Sequence, residues 1–308
     1  MAIGNDYESK YETGEIVEKL KSYGLMKCIS PDLIFGKELE RFQRKIAGYE
    51  DFIITFASLD TRKIFDSDFE TYVYQTIKSY AGSGIKGLKF WKNLSLNIKD
   101  EKGYYLRLDD ERLKSIWQVA AEFNLPITIH IGDPVAFFKP ITNENERIEE
   151  LGVHPEWSFY GEGRFTFQEL IQMQENMIKD NPKTTFIVAH IGSYAENLGE
   201  VGRMLDNYPN MMIDTTERIS ELGRQPYTAR KFLTKYQERI LFGTDFFPKK
   251  DFMYPIYYRF FETFDEYFDY DTFEIPAQGR WKIYGVGLDD IVLEKIYNGN
   301  ARRLLALD

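Results

Sequence analysis

Three residues in this chain have the types and spacing to do chemistry together: His130, His190 and Asp245. Each closes a short apolar run. LPITIHIGD (125–133) delivers His130, TFIVAHIG (185–192) delivers His190, and ILFGTD (240–245) delivers Asp245. Neutral imidazole and carboxylate both bind divalent metal, and either can move a proton. The chain has three histidines, and two of them end such runs. A nearly continuous apolar run bounded by proline or a Gly-Asp pair reads as a parallel strand covered on both faces. Three buried strands, each ending in a ligand or proton-transfer residue, is the layout of an α/β barrel site. Taken singly, each residue has a bland reading of equal weight. A histidine can sit in a core bonded to a backbone carbonyl, and Asp245 can cap a helix starting near Pro248.

Alternation along a barrel strand sends every second side chain inward. It puts His130 with Thr128 on the inner face and Ile127, Ile129 and Ile131 on the outer one. The same count pairs His190 with Val188, and Asp245 with Gly243. Lys89 ends the run 85–91 on the face of Gly87. It reads as a site cation, as a modified metal bridge, or as a lysine reaching solvent at the rim. His154 lies in a long segment, 132–163, where substrate contact and loop packing are both open. Arg218 and Arg224 come after the run 211–215, with Glu217 and Glu221 between and beside them. An arginine there clamps a substrate carboxylate in bidentate fashion or joins an ion-pair network of the loop.

The elements that must position these residues alternate. Helical patterns at 15–23, 37–48 and 68–80 interleave with strand patterns at 25–30, 52–58 and 85–91. Asp109 reads as the cap of the next helix, and Thr166 with Glu169 as a capping box for the one after. Helices at 196–208 and 227–236 lead into the last two strands, and two more start after Asp289 and Asn300. Strand–helix alternation means parallel pairing with helices outside. The expectation is a TIM-type (β/α)8 barrel forming one domain over 1–308, with seven strands legible and the first missing or atypical. The aromatic-rich segment 252–270 packs as core or forms a dimer surface.

Composition narrows the function classes. Thirty-nine Lys and Arg against 49 Asp and Glu give a net charge of −10. That argues against nucleic acid or an anionic membrane as partner. The lone Cys28 excludes an internal disulfide and reads as a small apolar filler. No apolar run reaches the ~18 residues of a membrane span, and MAIGNDYESK does not read as a signal peptide, so the expected location is the cytoplasm. The expected partner is a small-molecule substrate, with a homo-oligomer possible.

GIKGLKFW, LPITIHIGDP, TFIVAHIG, ERISELGRQPYTARKF, RILFGTDFFP and GLDDIVLEKIYNGNARRLL, in this order, resemble the amidohydrolase superfamily, in its amidohydrolase-2 branch. The resemblance implies a metal-dependent barrel that hydrolyses amide, ester or lactone-like bonds. A non-oxidative decarboxylase on the same metal site is the alternative, and a catalytically dead barrel that binds a ligand is a second. It implies that His130 binds the metal, most often zinc, and that His190 is a ligand or proton shuttle. Asp245 would bind metal and take the proton of the attacking water. Lys89, His154, Arg218 and Arg224 are the candidate substrate contacts. The family's first strand carries a His-x-His pair, whereas no histidine precedes Glu15 here, and Ile3-Gly4 resembles the stretch just after that pair. The expectation is therefore a truncated start, weak zinc binding and little hydrolase activity in the chain as written.

Overall fold

The computed structural model describes residues 11–245 and 253–307. Strands form where the apolar, β-branched runs stand: β1 Cys28–Pro31, β2 Ile53–Ala57, β3 Gly87–Phe90, β4 Ile127–Ile129, β5 Phe186–Val188, β6 Met211–Asp214 and β7 Ile240–Leu241. They pair in parallel and in chain order. Parallel neighbours need crossovers, and helices supply them. Gly36–Lys45, Phe69–Gly82, Lys114–Glu122, Phe167–Asp180, Leu198–Asn207 and Pro226–Lys235 fill the six gaps in turn. The result is a curled, seven-stranded sheet of the TIM-barrel type, as the alternation implies. Among the described residues no ladder joins β7 to β1. The expected first strand, ahead of helix Thr13–Ser22, falls outside the described residues.

The two faces of the sheet separate cleanly. Leu88, Phe90, Ile127, Ile129, Phe186, Val188, Ile213 and Ile240 pack outward under the helices. Ile54, Phe56, Ile187, Met212 and Leu241 face inward and form a second cluster with Leu305. Leu304 and Leu307 add to it, so the closing helix Asn300–Leu305 stoppers the inside of the sheet. The interior is a packed core, as in other barrels. Register aligns Lys89 with Thr128, Thr128 with Ile187, and Ile187 with Met212. Lys89 thus shares an inner layer with Thr128, Ile187 and Met212.

Local chemistry departs from expectation at two points. The helix expected to be capped by Asp109 is capped one residue later. Asp110 accepts the Arg112 N–H at the start of a tight turn, Glu111–Leu113, while the Asp109 carboxylate is taken by Arg107 and Asn176. The Thr166–Glu169 capping box forms as read. The aromatic tail contains a helix, Met253–Glu262, whose Tyr254, Tyr257, Phe260 and Phe261 are buried. Phe242 at the end of β7 meets Tyr257, Tyr258 and Tyr297 within 6.0 Å. These aromatics are core. Pro248 lies outside the described residues.

Gly87 lets β3 pass the ring of Phe56, since a Cβ there would stand 2.4 Å from it. Gly87→Ala should cost about 1–3 kcal/mol in chemical denaturation, the usual size of an overpacking strain. An unchanged midpoint would mean that Phe56 has room to move. Burial pushes the Cys28 thiol up to about 12. Native protein at pH 8 should therefore react with a thiol reagent at least ~100-fold more slowly than unfolded protein. Equal rates would show Cys28 to be open.

Candidate active site

β4 runs straight into His130, so alternation holds and the ring points inward beside Thr128. β5 does not reach His190. The strand ends at Val188, which packs outward. His190 and Ile191 then take left-handed backbone angles, φ 59° and 54°, with Gly192 next at 64° and Ser193 at 63°. Such angles are uncommon for any residue with a Cβ and rarest for a β-branched one. The turn is held from β6. The Asp214 carboxylate accepts the His190 backbone N–H at 2.9 Å and the Thr216 N–H at 3.1 Å, and also takes the Thr216 hydroxyl. So His190 reaches the site by a turn, and the expected face-sharing with Val188 is wrong.

The two imidazoles meet. His130 Nδ1 and His190 Nε2 are 3.3 Å apart, with the rings edge to face. On its other side, His190 Nδ1 lies 2.9 Å from the Thr216 carbonyl. A carbonyl only accepts, so Nδ1 carries the proton and Nε2 is bare. His130 Nε2 faces the Asp133 carboxylate at 3.2 Å, which places its proton there and leaves Nδ1 bare. Burial keeps both rings neutral. It pulls His130 down to about 4, against the pull of Asp133, and pulls His190 well below its ordinary value, helped by the Arg218 guanidinium and by repulsion from His130 whenever that ring takes a proton. Burial alone would raise the Asp133 carboxyl. Its bond from His130 and the charge of Lys92 outweigh burial and hold it below the usual carboxylate range. Lys92 and Asp133 form a nearly buried ion pair.

Cations gather around this pair. Lys89, part-buried at the end of β3, feels the charge of Asp245, Asp214 and Asp32, and burial lowers its ammonium against the pull of all three. Arg218 is buried, donates to the Glu217 carbonyl at 2.8 Å, and bears on His190. Asp245 is partly buried and takes a left-handed φ of 55°, so the alternation that put it on Gly243's face does not carry through. The other two candidates stand elsewhere. His154 stacks on Trp157 at 3.9 Å and meets Glu156, at a half-exposed position. Arg224 bonds Glu146 and the Ser220 carbonyl and lies 4.2 Å over Trp281, in a loop ion-pair network. Beside it, Arg147 and Glu221 form a fully buried pair.

Lys92, Asp133, Asp214 and Thr216 were not among the residues singled out from the sequence. Asp133 was visible as the Gly-Asp that closes the His130 run. Its role becomes apparent only with Lys92, 41 residues away.

Two bare nitrogens 3.3 Å apart repel unless something electron-poor stands between them. Ligand nitrogens about 2.0–2.1 Å from a tetrahedral ion lie about 3.3–3.4 Å from each other. The donor set of the pair therefore fits a divalent cation. Among the described residues, no group of three His, Cys, Asp or Glu side chains gathers closely enough to hold an ion alone.

A family model described as amidohydrolase matches residues 64–307. Solved structures similar in fold include 2,6-dihydroxybenzoate decarboxylase from Rhizobium: TM-score 0.60, 15% identity, 99% of this chain and 93% of that one. Dihydroxybenzoic acid decarboxylase from Polaromonas sp. JS666, with bound manganese and 2-nitroresorcinol, gives 0.61 at 13% identity over 96% and 86%. A putative 2-pyrone-4,6-dicarboxylic acid hydrolase from Pseudomonas putida gives 0.54 at 12% identity over 100% and 95%. At these identities the likeness is one of fold. No curated protein matches the chain.

Asp133 should fix the tautomer of His130. In nitrogen-15 NMR of the imidazoles, Asp133→Asn is expected to lower the fraction of His130 protonated at Nε2 and to leave His190 protonated at Nδ1. An unchanged His130 tautomer would remove Asp133 from this role.

Proposed function

We propose, from the premise that the chain belongs to the amidohydrolase family, that it is a metal-dependent hydrolase of small molecules bearing an amide, ester or lactone-like bond. The observation that carries this reading is the pair of bare, neutral ring nitrogens of His130 and His190. These two would hold a divalent cation, zinc in the first instance; Asp245, the third ligand expected from the sequence, does not close a three-ligand group with them among the described residues. Such an ion lowers the pKa of water and polarises a carbonyl. Asp245 would take the proton of the attacking water. His190 exchanges a proton only at Nε2, because the Thr216 carbonyl occupies Nδ1. That nitrogen either holds the ion or carries a proton: as a ligand His190 would steady the developing charge through the ion, and only off the ion would it return the proton to the leaving group. Lys89 and Arg218 supply positive charge for an acidic substrate. His154 and Arg224 remain candidates for the outer reaches of that substrate.

A second reading is carried by Lys89. A part-buried cation that bears on the histidines and Asp245 is what a non-oxidative decarboxylase needs to seat a carboxylate. The two readings part on the product: CO2 from hydroxybenzoates, or acid from lactones and esters.

The 308-residue chain should bind Zn2+ or Mn2+ weakly in competition with a chromophoric chelator, and His130→Asn and His190→Asn should each lose that binding. Asp245→Asn should abolish turnover. Metal binding that survives loss of both imidazoles would overturn the assignment.

A further inference from the structure

We propose that the cavity beside Phe159 is a binding subsite for a small anion with a flat apolar body, an aryl or arylalkyl carboxylate, and that it seats the far end of the substrate. The link to substrate rests on the proposed enzymatic function. The ligand chemistry stands on the cavity itself.

The cavity holds about 380 Å³ and is lined by Phe138, Phe159, Tyr160, Glu162, Arg164 and Phe165. That is within the range of small-ligand sites, and a one-ring acid fills much of it. Its walls are braced. Phe138 packs against Phe159 and Phe167, each at 5.5 Å, and the Phe159 N–H donates to the Phe137 carbonyl at 2.8 Å. Flat aromatic walls favour a flat guest.

Arg164 sets the charge of that guest. Several arginines elsewhere are matched to carboxylates, Arg62 to Asp60, Arg107 to Asp109, Arg112 to Asp110 and Arg203 to Glu175, and Arg218 and Arg239 donate to backbone carbonyls. Among the described residues Arg164 makes no hydrogen bond and no ion pair. Its guanidinium lies only against the rings of Tyr105 and Phe159, 5.7 Å from each centroid. Glu162 borders the same cavity but is exposed and does not pair with it. A guanidinium resting near two rings keeps its N–H fork unspent, and that fork matches a carboxylate.

A relay of contacts links the cavity wall to the histidines. The Phe159 ring that meets Arg164 meets the Lys92 ammonium at 5.2 Å. Lys92 pairs with Asp133, which faces His130. A substrate with an acidic aromatic end here would place its other end toward the two histidines.

The test uses 3-phenylpropionate and its neutral amide as probes, with isothermal titration on the full chain. The acid should bind with a Kd below about 1 mM and about tenfold more tightly than the amide. Arg164→Met should abolish the difference, and Arg164→Lys should retain part of it. Equal binding of acid and amide, or a wild-type preference in Arg164→Met, overturns the ligand assignment. With a substrate that turns over, Arg164→Met should raise KM about tenfold and leave kcat within about twofold. Turnover with an unmoved KM sinks the subsite and leaves the enzyme. Arg164-dependent binding with no turnover on any lactone, ester or hydroxybenzoate sinks the enzymatic reading and leaves the ligand chemistry standing.

Discussion

The site depends on one carboxylate. Asp214 accepts the backbone N–H of His190 and two donors of Thr216, and so holds a left-handed turn that the chain would not otherwise adopt. His190, Ile191 and Ser193 each stand in a region that costs an L-residue about 1–2 kcal/mol. Ile191 offsets part of that by complete burial, and the Ser193 N–H closes the turn on the Ala189 carbonyl. Gly192 sits where a Cβ would come within 3.1 Å of Met211 and Val201. The turn is thus fixed from below by packing and from the side by Asp214. What it achieves is a ring aimed inward from a strand whose last residue points out.

This turn also marks where sequence reasoning runs out. Alternation placed His130 correctly because β4 keeps its pleat up to that residue. It failed for His190 because β5 stops two residues short, and a count by twos has no meaning in a left-handed turn. The seven strands and the outer helices were legible because both sheet faces are dry, so the apolar runs are nearly continuous. The partners that tune the site were not legible. Lys92 with Asp133, and Asp214 with His190, join loops from different strands, and no local pattern fixes which charged residue of one loop meets which of another. The Asp109 cap failed for a related reason. Two aspartates stood side by side, and tertiary contacts to Arg107 and Asn176 decided which was free to cap.

Charge at the site is set by burial. An isolated buried imidazolium is costly, so both rings stay neutral and offer lone pairs instead. The same burial would be as costly for Lys89, Lys92 and Asp133 alone. Lys92 and Asp133 meet it by pairing, and Lys89 by standing among three carboxylates. The arrangement separates two jobs. Asp133 and Thr216 take the ring protons away from the centre, and the bare nitrogens are left facing each other. On the proposed reading that gap is where an ion belongs, since each ring's one N–H is spent outward, on Asp133 and on the Thr216 carbonyl.

The division between sheet and loops suggests how such a scaffold acquires its specificity. The histidines rise from β4 and from the turn after β5, on a floor closed by Ile187, Met212 and Leu305. Little there can vary without disturbing the core. The cavity beside Phe159 is built entirely from the long segment between β4 and helix Phe167–Asp180. It meets the site through Lys92 and one phenyl ring. Changes at Tyr160, Glu162, Arg164 or Phe165 would alter what is held without touching what reacts. On the proposed subsite, the charge on Arg164 selects an acidic ligand. A chain with a net charge of −10 repels anions at long range, so an acidic ligand needs local cations to be held at all. Arg164 lines the cavity, Lys92 meets its Phe159 wall, and Lys89 and Arg218 bear on the histidines.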